Sequence, residues 1–307
     1  MRTSIGYGKR GIGVYRTAAR PLEGVRTIPE SGFAGRPKGL FACEVDVEVF
    51  GDSVLPAYTE GDNAQVVPTD TMKNVVLEQA LAFRGATLER FLYDCGRAFL
   101  GTYPQMQALR MSGRELPFRA APVPTETGRF GGSDVLFARQ RDDHAVATLD
   151  LLRTVEGGVA LTDHRCGQVG LQLIKTTGSS FTRFARDEHT TLPEQVDRPL
   201  FIYLDVYWRY RDANDLLDEQ HAGYVAAEQV RDLVGVVFHR FVSKSIQHLV
   251  HEMGQRLLER FEQIVEVSFV AQNRLWDTAG VSASDEQVKV YTDPRPPYGE
   301  ITLTLRR

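Results

Sequence analysis

Several short stretches bring together polar, charged and aromatic residues of types that could do chemistry. In VVPTDTMKN, residues 66–74, a strand-like valine pair runs through Pro68 into Thr69 and Asp70 before an apolar helical pattern begins. Helix starts carry unpaired backbone N–H groups and the positive end of the helix dipole, which suits an anionic ligand. The plainer role for Thr69 or Asp70 is to cap that helix. A second polar helix start, Ser243, Lys244, Ser245, Ile246 and Gln247, reads as the corresponding one in the second half, and two such starts suggest one composite site. The stretch LIKTTGSSFTRFARDEHTTLPEQVDR, residues 173–198, is dense in Ser, Thr, Arg and aromatics directly after an apolar strand. Phe181 could stack on a planar ring, and Arg198 could hold an oxyanion through its planar fork. Their plainer roles are core packing and an ion pair with Asp197 or Glu194.

Two other motifs carry less. GYGKRGIG, residues 6–13, has phosphate-loop glycine spacing, but no strand precedes it and no helix follows, so dinucleotide binding is a poor reading and Lys9 alone reads as a surface lysine. HLVHE places only His248 and His251 one helical turn apart, in an order that is neither HExxH nor HxxEH. No third ligand is evident, so no metal is expected.

The elements that position these residues show a coarse repeat of about 150 residues. FACEVDVEVF, residues 41–50, alternates with Phe41, Cys43, Val45, Val47 and Val49 on one side and acids on the other, a half-buried antiparallel strand. Two helices follow, one with Val75, Val76, Gln79, Ala80 and Phe83, the next with Leu88, Phe91, Leu92, Cys95 and Phe99 on one face. Residues 101–143 read as strand pieces and loops ending in a charge run. Strands return in VGLQLIK and PLFIYLDVYWRY, then helices over about 223–241 and 244–261, then QIVEVSFV, QVKV and EITLTL. This is an α+β pattern in domains 1–143 and 144–307, each an antiparallel sheet with paired helices on one face. Sheet edges that would otherwise be exposed could pair between subunits into a barrel, so an oligomer is expected.

Composition sets the frame. The 307 residues are 42% hydrophobic and 25% charged, which fits a soluble protein large enough for two domains. Net charge is −4 with Lys and Arg scattered, so nucleic acid is not an expected partner. No apolar run is long enough to span a membrane, the start lacks the apolar middle of a secretory signal, and the ending LRR is not an SKL-type address, which points to the cytoplasm. Cys43, Cys95 and Cys166 are odd in number and without metal spacing, so buried thiols are expected.

The chain resembles the urate oxidase (uricase) family along nearly its whole length. The marks are YGK at 7–9, GDNAQVVPTDTMKN at 61–74, the 173–198 stretch, SKSIQ at 243–247 and PPYGEITLTLRR at 296–307. The resemblance implies tandem T-folds in a homotetramer around a tunnel, with active sites at subunit interfaces. It also implies oxidation of urate by O2 to 5-hydroxyisourate and hydrogen peroxide with neither metal nor flavin. Triplet dioxygen reacts slowly with closed-shell molecules, but an electron-rich urate dianion can pass it one electron, so the protein must deprotonate and hold the purine. The resemblance then assigns Arg198 and Gln247 to the purine's heteroatoms and Phe181 to its plane. It gives Asp70, Leu192, Ser245, Ile246 and Gly299 to substrate binding, mostly through backbone, and Lys9 and Thr69 to a proton relay.

Three departures qualify that assignment. His189 stands where the family has Tyr or Phe, and GSDVLF at 132–137 retains only the Phe of a His-x-His-x-Phe run. After EVSF, uricases carry Pro-Asn-x-His, whose Asn holds dioxygen or water and whose His completes the relay. Here the segment is VAQNRLW, residues 270–276. Aligned without a gap, Ala271 replaces the Asn and Asn273 the His; shifted by two, Asn273 keeps the amide and Leu275 takes the His position. Asn273 is therefore the remaining candidate for a catalytic role. Two other readings stay open: a cofactor-independent oxygenase or tailoring enzyme for a different urate-like heterocycle, and a T-fold protein that binds a heterocycle without turning it over.

Overall fold

The computed structural model describes residues 5–307, apart from the Leu275 side chain. The chain runs β1 (Gly6–Ala19), β2 (Gly39–Phe50), α1 (Leu55–Thr59), α2 (Thr69–Ala82), α3 (Leu88–Thr102), β3 (Ala108–Glu115), β4 (Phe118–Pro124), β5 (Phe130–Arg139) and β6 (His144–Arg153). It continues through β7 (Val159–Lys175), β8 (Leu200–Tyr210), α4 (Ala213–Leu217), α5 (Ala227–Arg240), α6 (Ile246–Arg260), β9 (Ile264–Leu275), β10 (Thr278–Val281), β11 (Lys289–Tyr291) and β12 (Arg295–Arg306). It forms two compact units. The first holds residues up to Thr27, Phe33–Gly167 and Arg209–Val225; the second holds Ile28–Gly32, Gln168–Trp208 and Ala226–Arg307. The division expected at 143/144 falls just before β6, which pairs with β3 from Ala108↔Leu152 to Arg114↔Val146.

In the first unit the strand order is β1-β2-β3-β6, with β1/β2, β2/β3 and β3/β6 antiparallel. The alternation in β2 does what its pattern predicts: Phe41, Cys43, Val45, Val47 and Val49 are buried and Glu44, Asp46 and Glu48 are not. The helices cover the apolar side, where Phe41, Phe83 and Phe91 pack with centroids 5.1–5.4 Å apart. GYGKRGIG lies within β1 rather than in a loop. The second unit orders β7, β8, β9 and β12, with β9 and β12 antiparallel, and α6 buries Ile246, Leu249, Val250, Met253 and Leu257. β4 pairs with β5 and β10 with β11 as separate hairpins. All three cysteines are buried free thiols.

The internal repeat is detailed. Both units run strand, strand, helix, helix, strand, strand: β1-β2-α2-α3-β3-β6 and β7-β8-α5-α6-β9-β12. α2 and α5 have 14 residues, and α3 and α6 have 15. Gly96 and Gly254 take the same place in α3 and α6, and a Cβ on either would collide with a sheet leucine, Leu151 or Leu305. Gly11 and Gly170, both at positive φ, donate their N–H groups to Asp46 (2.7 Å) and Asp205 (2.8 Å). This alignment corrects one expectation. The helix that starts at Ile246 corresponds to α3, and the counterpart of the Thr69 helix is α5.

Candidate active site

The first unit contributes Lys9, Thr69 and Asp70. Lys9 is half-exposed on β1 opposite Val47, and the register slips just after it at the Gly11 bulge. The Tyr7 hydroxyl, two residues earlier, accepts from the Val67 N–H at 3.0 Å and so ties β1 to the segment that leads into α2. The cap expected from Thr69 or Asp70 is not there. Pro68 is the N-cap, and Thr69 and Asp70 are the first two helical residues, neither bonding back to the backbone. Proline has no side-chain oxygen to cap with, but its fixed φ suits the entry into a helix. Among the described residues the Thr69 hydroxyl is therefore left without a hydrogen-bond partner. Asp70 accepts from Lys73 Nζ at 2.6 Å; this ammonium holds its carboxyl below the usual range, and Lys9 adds to the effect, so Lys9 is within electrostatic reach of the helix start.

The candidate residues of the second unit are more heavily stitched to one another. Phe181 and Gln195 exchange two backbone hydrogen bonds, at 2.7 and 2.9 Å, and the Arg198 N–H donates to the Ser179 carbonyl at 2.8 Å. The buried hydroxyls of Ser179 and Ser243 are 3.2 Å apart, and the Ser180 N–H donates to the Ser243 carbonyl at 2.8 Å. These bonds join the Phe181 loop to the residues just before α6. There Ser245 caps the helix, its oxygen accepting from the His248 N–H at 3.1 Å, while Ile246 turns into the core and Gln247 stays exposed.

Arg198 is the most telling of these residues. The plainer reading, an ion pair with Asp197 or Glu194, is not what forms. Asp197 is taken by the Thr177 hydroxyl (2.5 Å) and the Gly178 N–H (2.7 Å), and Glu194 by the Arg183 N–H (2.9 Å). Among the described residues the Arg198 guanidinium meets no carboxylate, and its Nε is buried without a partner. Burial lowers its pKa from the ordinary arginine value. Its Cζ lies 5.6 Å from the centroid of the Phe181 ring, which is only half-buried and stacks on Phe184 at 4.9 Å. A half-buried cation beside an aromatic face, with no counter-charge, fits a flat anion, because burying an unpaired charge is costly until a ligand supplies its partner.

The remaining candidates are more scattered. The Leu192 carbonyl accepts from Arg186 at 3.1 Å, and its side chain is exposed. Asn273 on β9 faces Gly299 on β12 at the end of an unbroken ladder, and Ala271, on the same face, is fully buried. Any role of the Leu275 side chain lies outside the described residues. His248 packs edge-on against Phe241 at 4.6 Å, its Nδ1 facing the Lys244 N–H, and His251 is exposed. Sequence reasoning gave no role to Tyr7, Ser179 or the Thr177–Asp197 pair, and named Ser243 only as part of a helix start. Only their closeness to Lys9, Phe181, Gln247 and Arg198 signalled them.

A family model described as Uricase matches residues 47–148 and 164–302. The chain is 43% identical to the "Uric acid degradation bifunctional protein" of Bacillus sp. (strain TB-90), over 97% of this chain but 59% of that protein, so it spans well under two thirds of that relative. It is 45% identical to the Uricase of Haloferax volcanii, over 98% of this chain and 97% of that one. The crystal structure of Bacillus sp. TB-90 urate oxidase superposes with a TM-score of 0.95 at 42% identity, covering 99% of both chains, and its likeness makes the two repeats here tandem T-folds. By its sequence, its fold and its full-length relatives, the chain belongs to the uricase family.

Proposed function

We propose that this protein is a cofactor-free oxidoreductase that converts urate, O2 and water into 5-hydroxyisourate and hydrogen peroxide. The observation that carries the reading is the half-buried Arg198 guanidinium, which meets no carboxylate among the described residues and lies beside the Phe181 ring. On this reading Arg198 and the exposed Gln247 amide hold the purine's oxygens and nitrogens while Phe181 stacks on its plane. The backbones at Asp70, Leu192, Ile246 and Gly299 add polar contacts, and Ser245 holds the α6 start in place. The Thr69 hydroxyl, unspent on capping, passes a proton with Lys9 beside it, so that the purine reaches the electron-rich state that can reduce dioxygen. Asn273, paired with Gly299 across β9 and β12, takes the oxygen half of the chemistry on this reading. The relay residues and the clamp residues are supplied by different subunits of a homotetramer in the cytoplasm, and the two repeats divide at the turn between β6 and β7.

The test is to mix purified protein with urate in air-saturated, metal-free buffer and follow purine absorbance, oxygen uptake and peroxide together. Equal consumption of urate and oxygen is expected, and it should fall sharply in Lys9→Ala. Absence of turnover would overturn the reading. The replacement of the family's His by Asn273 or Leu275 favours one second reading, oxidation of a different heterocycle. Oxygen uptake with xanthine or a pterin but not with urate would select it.

A further inference from the structure

We propose that Asp197 is a positioning residue whose task is to leave its neighbour Arg198 free for an anion. Adjacent Asp and Arg would ordinarily pair, and such a pair would neutralise the charge that the substrate needs. The Asp197 carboxylate is instead held from the other side, by the Thr177 hydroxyl at 2.5 Å and the Gly178 N–H at 2.7 Å. These bonds, with the Ser179 N–H, hold its carboxyl below the usual range, so it stays ionised and engaged at neutral pH. Its neighbour's N–H reaches the Ser179 carbonyl at 2.8 Å, so one short ladder fixes both the direction in which Arg198 leaves the backbone and the absence of a counter-charge beside it.

The repeat supplies an independent observation. Leu22 and Arg36 exchange the same pair of backbone hydrogen bonds, both 2.9 Å, that Phe181 and Gln195 exchange. Two and three residues beyond Gln195 stand Asp197 and Arg198; two and three beyond Arg36 stand Lys38 and Gly39. Where the clamp arginine is missing, the aspartate is missing too. Ala18 stands where Thr177 does, so the arginine, the aspartate and the hydroxyl that holds it are present together or absent together.

This inference rests on the urate reading for its ligand, so the experiment carries a readout that does not use urate. Thr177→Val frees one carboxylate oxygen without changing charge, and Thr177→Ser restores the hydroxyl. Thr177→Val should raise KM for urate and weaken anaerobic urate binding about tenfold, with kcat within about twofold. Thr177→Ser should behave as the wild type, and Asp197→Asn, which keeps an acceptor for Gly178, should fall between. In crystals of Thr177→Val the Asp197 carboxylate should turn to the Arg198 guanidinium. Unchanged urate affinity in Thr177→Val, or a crystal structure in which Asp197 stays with Gly178 and away from Arg198, overturns the proposal. Failure of the wild type to bind urate would instead overturn the urate reading, while the crystal result still decides the role of Asp197.

Discussion

The two repeats are built alike and equipped differently. Phe181 in the second stands where Leu22 stands in the first, and Arg198 where Gly39 does. Gln247, exposed two residues past its cap, matches Glu89, which is 3% exposed and accepts from the Tyr224 hydroxyl at 3.2 Å. Conversely, counted from the paired glycine bulges, Lys9 has the buried Gln168 as its match, and counted from the helix starts, Thr69 has Ala227. One repeat keeps the groups suited to moving a proton and the other those suited to holding a ring. On the proposed reading, duplication lets each copy carry one set of groups and fill the place of the other set with core.

The largest test of this division is Arg198→Ala. Loss of a charge-assisted, forked contact should lower kcat/KM for urate by about a hundredfold or more, while melting temperature holds or rises because an unpaired half-buried charge is removed. Arg198→Lys should recover little, since an ammonium lacks the fork. Next is the unused half, at Glu89. Burial, with the Glu115 carboxylate adding to it, pushes its carboxyl up to about 7, from an ordinary value of 4.5. The folded state therefore holds a proton that the unfolded chain has released. Stability contributed by the protonated carboxyl is complete below about pH 4.5 and is lost as pH rises towards 7, by about 3 kcal/mol in all. Urea unfolding of Glu89→Gln between pH 5 and 8 should remove that slope. A slope unchanged by the substitution would mean Glu89 is not the group that titrates.

Thr69→Ala separates chemistry from folding. Because Pro68 is the N-cap, removing the hydroxyl should leave stability within about 0.5 kcal/mol, while kcat falls about a hundredfold with the loss of a positioned proton carrier. A large drop in melting temperature with kcat intact would return Thr69 to the capping role that its sequence position suggests.

The regular alternation of β2 and the helical faces of α3 and α6 were legible because each buries one side only, and burial imposes a period. β1 was not, since Gly6, Gly8, Gly11 and Gly13 interrupt any alternation; it is a strand because β2 supplies the ladder and Gly11 the bulge. β6 alternates cleanly through Ala145, Ala147, Leu149 and Leu151, but the charge run before it masks the change. Two polar helix starts could be seen in the sequence, yet not which helix of each pair they opened. That order is a property of the topology, and it made Ser245 the match of Thr87 rather than of Thr69. The residue types of the clamp were readable from the family resemblance. That Arg198 meets no counter-charge among the described residues was not, because Asp197 is its neighbour in sequence and only the fold shows that carboxylate turned towards Thr177.

The smallest effect gives the closest control. Thr87 and Ser245 are the same residue of the repeat, each capping a 15-residue helix, with oxygens 3.3 Å from the Arg90 N–H and 3.1 Å from the His248 N–H. Replacing either by Ala should cost about 1 kcal/mol of stability, the usual worth of a hydroxyl cap. Only Ser245→Ala should also raise KM for urate, by a few-fold. The first turn of α6 leaves Gln247 exposed, where the proposed reading puts the ligand, whereas the first turn of α3 turns Leu88 and Glu89 into a closed core. Equal losses in urea unfolding with unequal changes in KM would show that the repeats share a scaffold and divide the function. A rise in KM from Thr87→Ala as large as that from Ser245→Ala would mean that the first repeat also feeds the ring clamp, and the division drawn here would fail.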